Sequence, residues 1–246
     1  MSFAIFFDDG GVLNDNKIRG EHWKTFVGEY YSKRFGGDPE TWGEANQKLI
    51  NSIFNEFSRD IKEKFGDYNS FYNDFKKKMV TGMFRETGNR LPENINYFEV
   101  FNATTQYVIP KVRSAIPGVI DSIKELHSRD FILYTAAGAD STEMKMYLKA
   151  MGVIQYFKEF YGPDLINTWK SEPEFYAEIF IHSKMDATKA IIIEDQPRFL
   201  ENALNVGANI IQACITGEYK PQFPFYVKNM YELPNVIENL IETLDL

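Results

Sequence analysis

The chain has 246 residues, which is enough for one sizeable core or for a core with an inserted lobe. Its hydrophobic content of 44% and aromatic content of 15% are typical of a packed globular protein and argue against a disordered one. The formal net charge of -8 argues against sequence-independent binding to nucleic acid or to an anionic membrane, because both require a basic face.

Cysteine usage and hydropathy indicate the compartment. The single cysteine, Cys214, lies in the apolar run NIIQACI and has no second cysteine with which to form a disulfide. No window approaches the roughly 18 consecutive apolar residues of a membrane span. The N-terminal apolar run has no basic flank and ends at Asp8, which is not the pattern of a signal peptide. We therefore expect a cytoplasmic protein.

The first predicted element is a strand over FAIFF, residues 3–7. An apolar run this short, without polar alternation, is typical of a strand buried on both faces of a parallel sheet. The stretch from 15 to 112 then contains no such run, and its apolar residues recur at helical spacing at 23–31, 50–57 and 71–79. This pattern predicts a helical lobe inserted directly after the first strand.

Strand and helix patterns alternate from residue 117 to the end of the chain. Further strands are predicted at 131–134, 190–193 and 209–215, with a weaker candidate at 158–162. This alternation predicts an α/β fold with a doubly wound parallel sheet. We expect residues 1–14 and 113–246 to form the α/β core domain and residues 15–112 to form a helical cap domain.

Local signals mark two of the helices between these strands. Apolar residues at helical spacing over 144–151 predict a helix, with Asp140 and Ser141 available as N-terminal caps and Gly152 after its last turn. Pro173 is predicted to occupy the first turn of the helix that contains EFYAEIFIHSKM.

Polar side chains follow three of the predicted strands at the point where each strand stops. Asp8 follows the first strand, Thr135 follows FILY, and Glu194 and Asp195 follow AIII. A lysine, Lys170, lies in the connection WKSEPEFY just before a helix. Because the carboxyl ends of parallel strands meet at one edge of a sheet, where ligands bind, we expect these groups to lie together.

This combination of groups has a definite chemistry. Closely packed carboxylates repel one another unless a positive charge joins them. Oxygen ligands alone favour a hard cation, and Mg²⁺ suits a site with few protein ligands and a substrate phosphate. A hydroxyl, a strand-end amide and a lysine are natural partners for phosphate oxygens. The sequence therefore predicts a magnesium site beside a phosphate site.

Four short stretches resemble the motifs of the haloacid dehalogenase-like hydrolase superfamily. They are DDGGVL at 8–13, Thr135 after its strand, Lys170 in KSEPEFY, and Glu194-Asp195 in IIIEDQPRFLENALNVGA. Their order and separation match those of the superfamily, and the helical insert is similar to its cap in kind and placement. The resemblance covers nearly the whole chain and implies a Rossmann-like core.

The resemblance also implies a role for each residue at the phosphate. Asp8 would be the nucleophile that forms an aspartyl-phosphate, which water then hydrolyses. Thr135 and the amide of Ala136 would hold phosphoryl oxygens, and Lys170 would neutralise their charge. On this basis Asp8, Thr135 and Lys170 are the expected catalytic residues.

The expected cofactor and substrate follow from the same resemblance. Mg²⁺ would be bound by Asp8, Glu194, Asp195 and the main-chain oxygen of Gly10. We expect a Mg²⁺-dependent phosphatase, monomeric or homodimeric, that acts on a small phosphorylated metabolite and has no nucleic-acid or membrane partner.

Position 10 departs from the superfamily pattern. Phosphatases of the superfamily usually carry a second aspartate at this position, which protonates the leaving oxygen and activates water. This chain has Gly10 instead. The neighbouring Asp9 is expected to point away from Asp8, since successive side chains near a strand end face opposite ways. Two alternatives therefore stay open: a hydrolase of a bond other than a phosphate ester, and a phosphate-binding or regulatory protein with weakened turnover. The acidic fourth motif suits a metal, which a dehalogenase does not need.

Overall fold

The structure, a computed structural model, describes the backbone of residues 3–56 and 65–244. Side chains are described for 3–52 and 65–244, so the helical face predicted at 50–57 lies largely outside the described residues. The chain divides into two compact units, Met1–Asn16 with Ser114–Leu246 and, separately, Lys17–Arg113. Whether residues 15–112 form a cap over the core stays a prediction.

The unit Lys17–Arg113 is helical throughout its described residues. Its helices are α1 (Asn16–Phe35), α2 (Pro39–Glu56), α3 (Tyr68–Thr87) and α4 (Tyr97–Val108). Aromatic rings fill its interior: the ring centroid of the fully buried Trp42 lies 5.0 Å from that of Tyr31 and 5.2 Å from that of Phe84. The aromatic residues of this part of the sequence therefore form the unit's own core.

The helices of the other unit lie between and after its strands. They are α5 (Val119–Ser128), α6 (Ser141–Met151), α7 (Pro163–Ile166), α8 (Phe175–Ser183), α9 (Pro197–Asn205) and α10 (Leu233–Leu244). The capping prediction for α6 is confirmed: the Asp140 side chain accepts a hydrogen bond from the Thr142 amide, and Gly152 follows with a φ of 74°. The prediction for Pro173 is wrong, because this residue lies in a turn and α8 begins at Phe175, with Glu174 at its N-terminal cap.

The strands of this unit form one parallel sheet in the order β3-β2-β1-β4-β5-β6. They are β1 (Ala4–Phe7), β2 (Ile132–Ala136), β3 (Phe157–Tyr161), β4 (Ala190–Glu194), β5 (Asn209–Ala213) and β6 (Tyr226–Val227). The predicted α/β fold with a doubly wound parallel sheet is confirmed. Strand β6 was not predicted, since two residues are too few to form a recognisable apolar run.

Both faces of the sheet are buried. In β1, Ile5 and Phe7 pack into one apolar cluster, and Ala4 and Phe6 pack into a second cluster on the opposite face. This alternation explains why the strand sequence is continuously apolar. Within the described residues, no helix combines the length and the apolar character needed to cross a membrane.

Candidate active site

The register of the central strands aligns the residues at their carboxyl ends. Phe7, the last residue of β1, pairs with Thr135 of β2 and with Ile193 of β4. The Asp8 amide continues this ladder by donating to the Ile193 carbonyl at 2.9 Å. Asp8 therefore lies level with the final residues of β2 and β4, which are Ala136 and Glu194.

Three carboxylates meet at this edge of the sheet. Asp8, Glu194 and Asp195 are 6%, 0% and 2% exposed, respectively. One carboxylate oxygen of each lies within 4.8 Å of the others. The structure thus brings together the three acidic side chains that the sequence predicted to share a site.

Lys170 lies against the same carboxylates. It follows α7 in the chain and is 7% exposed, and its ammonium forms an ion pair with Asp8 and a second one, at 2.5 Å, with Glu194. Burial lowers the pKa of this ammonium, but the charges of Asp8 and Glu194 more than offset that effect and raise the pKa above its usual value. Lys170 is therefore a permanent positive charge in the site.

One ammonium does not balance three carboxylates. Burial, with repulsion from Glu194, raises the pKa of Asp8 to about 7, and burial raises the pKa of Glu194 to about 7 and that of Asp195 to about 6. In addition, the Oδ1 atom of Asp195 is buried and accepts no hydrogen bond from the described residues. A buried group of hard oxygen donors with excess negative charge fits a divalent cation, which could be held by Asp8, Glu194 and Asp195.

The backbone around Glu194 fixes the positions of the two neighbouring acids. One oxygen of Glu194 accepts hydrogen bonds from the amides of Asp195 and Gln196, both at 3.0 Å. Since α9 begins at Pro197, this carboxylate also supports the approach to the helix. These amides use the Oε1 atom of Glu194, whereas its Oε2 atom faces Lys170.

Gln212 is a supporting residue that sequence reasoning missed. Its fully buried amide donates to the main-chain oxygens of Asp195 at 3.3 Å and Lys220 at 3.2 Å, and its oxygen accepts from the Gln222 amide at 2.8 Å. It thereby ties the loop after β4 to the loop after β5. The available signal was a lone polar residue within the apolar run NIIQACI.

Tyr176 also escaped the sequence reading. Its side chain is fully buried, and its hydroxyl has no hydrogen-bond partner within the described part of the chain. Burial raises the pKa of this hydroxyl well above its usual value, and the nearby charge of Lys170 acts in the opposite direction. A tyrosine in EFYAEIF is typical of an apolar helix face, and no local pattern indicates that its hydroxyl lies near the charged groups.

The predicted phosphate-binding residues lie at the end of β2. Ala136 is its final residue, level with Asp8, whereas Thr135 is fully buried and its hydroxyl donates to the Tyr161 carbonyl of β3 at 3.2 Å. To donate to a phosphoryl oxygen, the Thr135 hydroxyl must rotate away from Tyr161. The contact with β3 could not be read from the sequence, because it depends on the strand order.

Asp9 supports the turn that follows β1. Its side chain is 4% exposed and accepts a hydrogen bond from the side-chain Nδ2 atom of Asn14 at 2.6 Å. The side-chain oxygen of Asn14 in turn accepts from the Ser114 hydroxyl at 2.7 Å. The main-chain oxygen of Asp9 also accepts from the amides of Leu13 and Asn14 at 2.8 Å. Asp9 thus has an evident structural role beside Asp8.

Gly11 closes this turn against the acidic cluster. It has a φ of +76°, and a Cβ atom added there would lie 2.2 Å from the Oδ2 atom of Asp195. Gly10, the predicted main-chain ligand, is half-buried and bridges to Asn14. The turn therefore brings its backbone close to the carboxylates, and a side chain at position 11 would prevent this.

Gly11→Ala is expected to displace the Asp195 carboxylate and to lower the free energy of unfolding by about 1 kcal/mol or more through left-handed backbone strain. Gly152→Ala is the matched control, because Gly152 has a φ of +74° and a Cβ there would meet no atom within 4 Å. Denaturant unfolding should show a similar strain cost in both variants, whereas Mg²⁺-dependent activity should fall only in Gly11→Ala. Equal activity in the two variants would contradict the close approach of Gly11 to Asp195.

Comparison with known proteins identifies the family. A family model described as Haloacid dehalogenase-like hydrolase matches residues 41–213, a range that includes Thr135, Lys170, Glu194 and Asp195 but begins after Asp8. A comparison with curated protein sequences gives no significant match.

Several solved structures share the fold. The HAD-hydrolase YfnB of Bacillus subtilis, solved bound to magnesium, is 14% identical with a TM-score of 0.64, covering 96% of this chain and 98% of its own. A HAD phosphatase from Thermococcus onnurineus is 15% identical with a TM-score of 0.62, covering 96% and 98%. The L-2-haloacid dehalogenase of Xanthobacter autotrophicus, with chloropropionic acid covalently bound, is 13% identical with a TM-score of 0.62, covering 97% and 99%.

These structures include both a phosphatase and a dehalogenase, so the likeness is one of fold and does not distinguish the two chemistries. The family model, in contrast, matches well over half of the chain and spans three of the four predicted motifs. The chain belongs to the haloacid dehalogenase-like hydrolase family.

Proposed function

We propose that the protein is a Mg²⁺-dependent phosphatase that hydrolyses a small phosphorylated metabolite through an aspartyl-phosphate on Asp8. The observation that carries the proposal is the buried cluster of Asp8, Glu194 and Asp195, whose three carboxylates, when ionised, carry two more negative charges than Lys170 balances. A divalent cation neutralises that excess, and a phosphoryl group is the substrate that such a cation and a lysine recognise together.

Each of the site residues has a defined role in the proposed reaction. An Asp8 oxygen attacks phosphorus, the bond from phosphorus to the leaving oxygen breaks, and water then hydrolyses the acyl phosphate to release inorganic phosphate and restore Asp8. Lys170 neutralises charge on the phosphoryl oxygens, and Thr135 and the Ala136 amide orient them. Asp8, Glu194, Asp195 and the Gly10 carbonyl would hold Mg²⁺, which would supply charge stabilisation to the phosphoryl group.

Gly10 shapes the substrate preference of this phosphatase. General acid–base help is worth roughly 10²- to 10⁴-fold, and position 10 has no carboxyl group to supply it. Leaving groups that depart as stable anions need this help least. Anomeric sugar phosphates and aryl phosphates should therefore react faster than simple alkyl phosphates.

The experiment is a rapid acid-quench measurement with a series of phosphate esters of differing leaving-group pKa, with and without Mg²⁺. We expect a burst of phosphoryl label on the protein, turnover that requires Mg²⁺, and a rate that rises steeply as the leaving-group pKa falls.

Two outcomes would favour an alternative function over a phosphatase. Halide release from a 2-haloacid without phosphatase activity would favour a hydrolase of another bond, as in the dehalogenases that share the fold. Tight binding of a phosphate analogue without a burst or turnover would favour a binding or regulatory protein.

A further inference from the structure

The space beside Gly10 is occupied by a specific side chain, that of Asn16. A Cβ atom added at Gly10 would lie 2.6 Å from the Oδ1 atom, 2.8 Å from the Nδ2 atom and 3.1 Å from the Cγ atom of Asn16. These are the nearest atoms to that position, and all three belong to the carboxamide. The Asn16 amide therefore fills the place where a side chain at position 10 would begin.

The backbone itself does not require glycine at position 10. Gly11 has a φ of +76°, which is the left-handed region that favours glycine, whereas Gly10 lies outside that region. Left-handed backbone strain therefore does not exclude a residue with a side chain at position 10. Steric competition with Asn16 is thus the feature that distinguishes this position.

The carboxamide also lies beside the turn that links the nucleophile to the acidic cluster. Gly10 is two residues from Asp8 and directly precedes Gly11, which packs against Asp195. Asn16 is the first residue of α1 and is exposed, whereas Asp8 is buried. The carboxamide thus reaches from an exposed residue to position 10, two residues along the chain from the nucleophile.

We infer that the Asn16 carboxamide takes the place of the absent second carboxyl group and donates a hydrogen bond from its Nδ2 atom to the leaving oxygen. This inference rests on the proposed phosphatase function. A carboxamide can donate a hydrogen bond to a developing negative charge, but it cannot transfer a proton. Asn16 thereby stabilises the departing oxygen and restricts the enzyme to esters whose leaving group needs no protonation.

The test is a reciprocal exchange of the two residues, assayed with one aryl and one alkyl phosphate. Asn16→Ala removes the donor and should slow the alkyl ester about tenfold, as expected for one hydrogen bond to developing charge, while the aryl ester changes less. Gly10→Asp alone places a carboxyl group against the Asn16 amide and should gain little. Gly10→Asp combined with Asn16→Ala gives the carboxyl group room and should speed the alkyl ester by roughly 10²-fold or more over Asn16→Ala.

The pH profile separates this role from a merely structural one. Wild type should show no limb from a general acid, whereas the double variant should acquire one, because only it carries a carboxyl group with space at position 10. Asn205→Ala, an exposed asparagine at the end of α9, is the surface control and should match wild type.

The outcomes distinguish this inference from the function on which it rests. Wild-type turnover with the same leaving-group dependence in Asn16→Ala would overturn the role of Asn16 alone, as would a gain in Gly10→Asp equal to that of the double variant. No turnover of any ester by wild type would overturn the proposed function and this inference with it.

Discussion

Asp8→Asn is expected to abolish the acid-stable phosphoryl label and to lower turnover by at least about four orders of magnitude, since a carboxamide cannot act as the nucleophile. The free energy of unfolding of this variant, in contrast, should stay the same or increase. The Asp8 carboxylate is buried beside Glu194, and these two causes raise its pKa to about 7, so its charge is costly at pH 8. A neutral group of the same shape removes that cost and leaves Lys170 paired with Glu194. The variant should therefore unfold at the same or a higher denaturant concentration than wild type at pH 8.

Asp9→Asn is the matched control, because it makes the same chemical change one residue along the chain. The Asp9 carboxylate accepts a hydrogen bond from Asn14 at 2.6 Å, and loss of this acceptor should cost about 1 kcal/mol of stability. The phosphoryl label should persist. Asp8→Asn should therefore lose activity and keep its stability, whereas Asp9→Asn should lose stability and keep the label. A general unfolding effect cannot produce this pair of results. If the label survives Asp8→Asn, or is lost in Asp9→Asn, Asp8 is not the nucleophile.

The sheet could be predicted because each strand has its own local signal. Strands β1, β2, β4 and β5 are short apolar runs, and both of their faces are buried in the structure. The polar residues at the ends of the runs that form β1, β2 and β4 mark the carboxyl ends of parallel strands, which is where the acidic cluster lies. Those features depend on neighbouring residues alone, so the sequence carries them directly.

The remaining features depend on contacts between distant residues. The hydrogen bonds from Thr135 to Tyr161 and from Gln212 to Lys220 require strand order and loop geometry that no local pattern contains. The start of α8 differs from the prediction for a related reason: Pro173 favours a turn as readily as a first helical turn.

Gly10 shows most clearly what cannot be predicted from the sequence alone. The sequence reveals that a carboxyl group is absent from this position, but only the structure reveals that the Asn16 carboxamide lies against it. The glycine would otherwise read as a simple loss of function. The structure adds that the space beside this glycine is filled by the Asn16 carboxamide.

The second large effect is a stabilisation by Mg²⁺ that depends on pH. The folded-state pKa values of Asp8 and Glu194 are raised to about 7 and that of Asp195 to about 6, whereas unfolded carboxyl groups titrate near 4. The folded protein therefore holds more protons than the unfolded chain between about pH 4 and pH 7. Without metal, stability should fall as the pH rises through that window and then level off.

If the ionised carboxylates bind Mg²⁺ as proposed, the metal should reverse this trend. At a Mg²⁺ concentration of about 100 times its dissociation constant, the stabilisation should reach about 2.7 kcal/mol at pH 8. At pH 5 it should be much smaller, because protons compete for the same oxygens. Thermal or denaturant unfolding at the two pH values, with constant ionic strength, measures both quantities.

Asp195→Asn tests whether this stabilisation arises at the acidic cluster. It removes a proposed ligand whose Oδ1 atom is buried without a hydrogen-bond partner among the described residues, so most of the Mg²⁺ effect at pH 8 should disappear. Glu201→Gln removes one negative charge from the exposed face of α9 and should retain the full effect, since Glu201 lies outside the cluster. A shift of the same size at both pH values, or in both variants, would mean that Mg²⁺ acts through general surface charge and that the three carboxylates hold no metal.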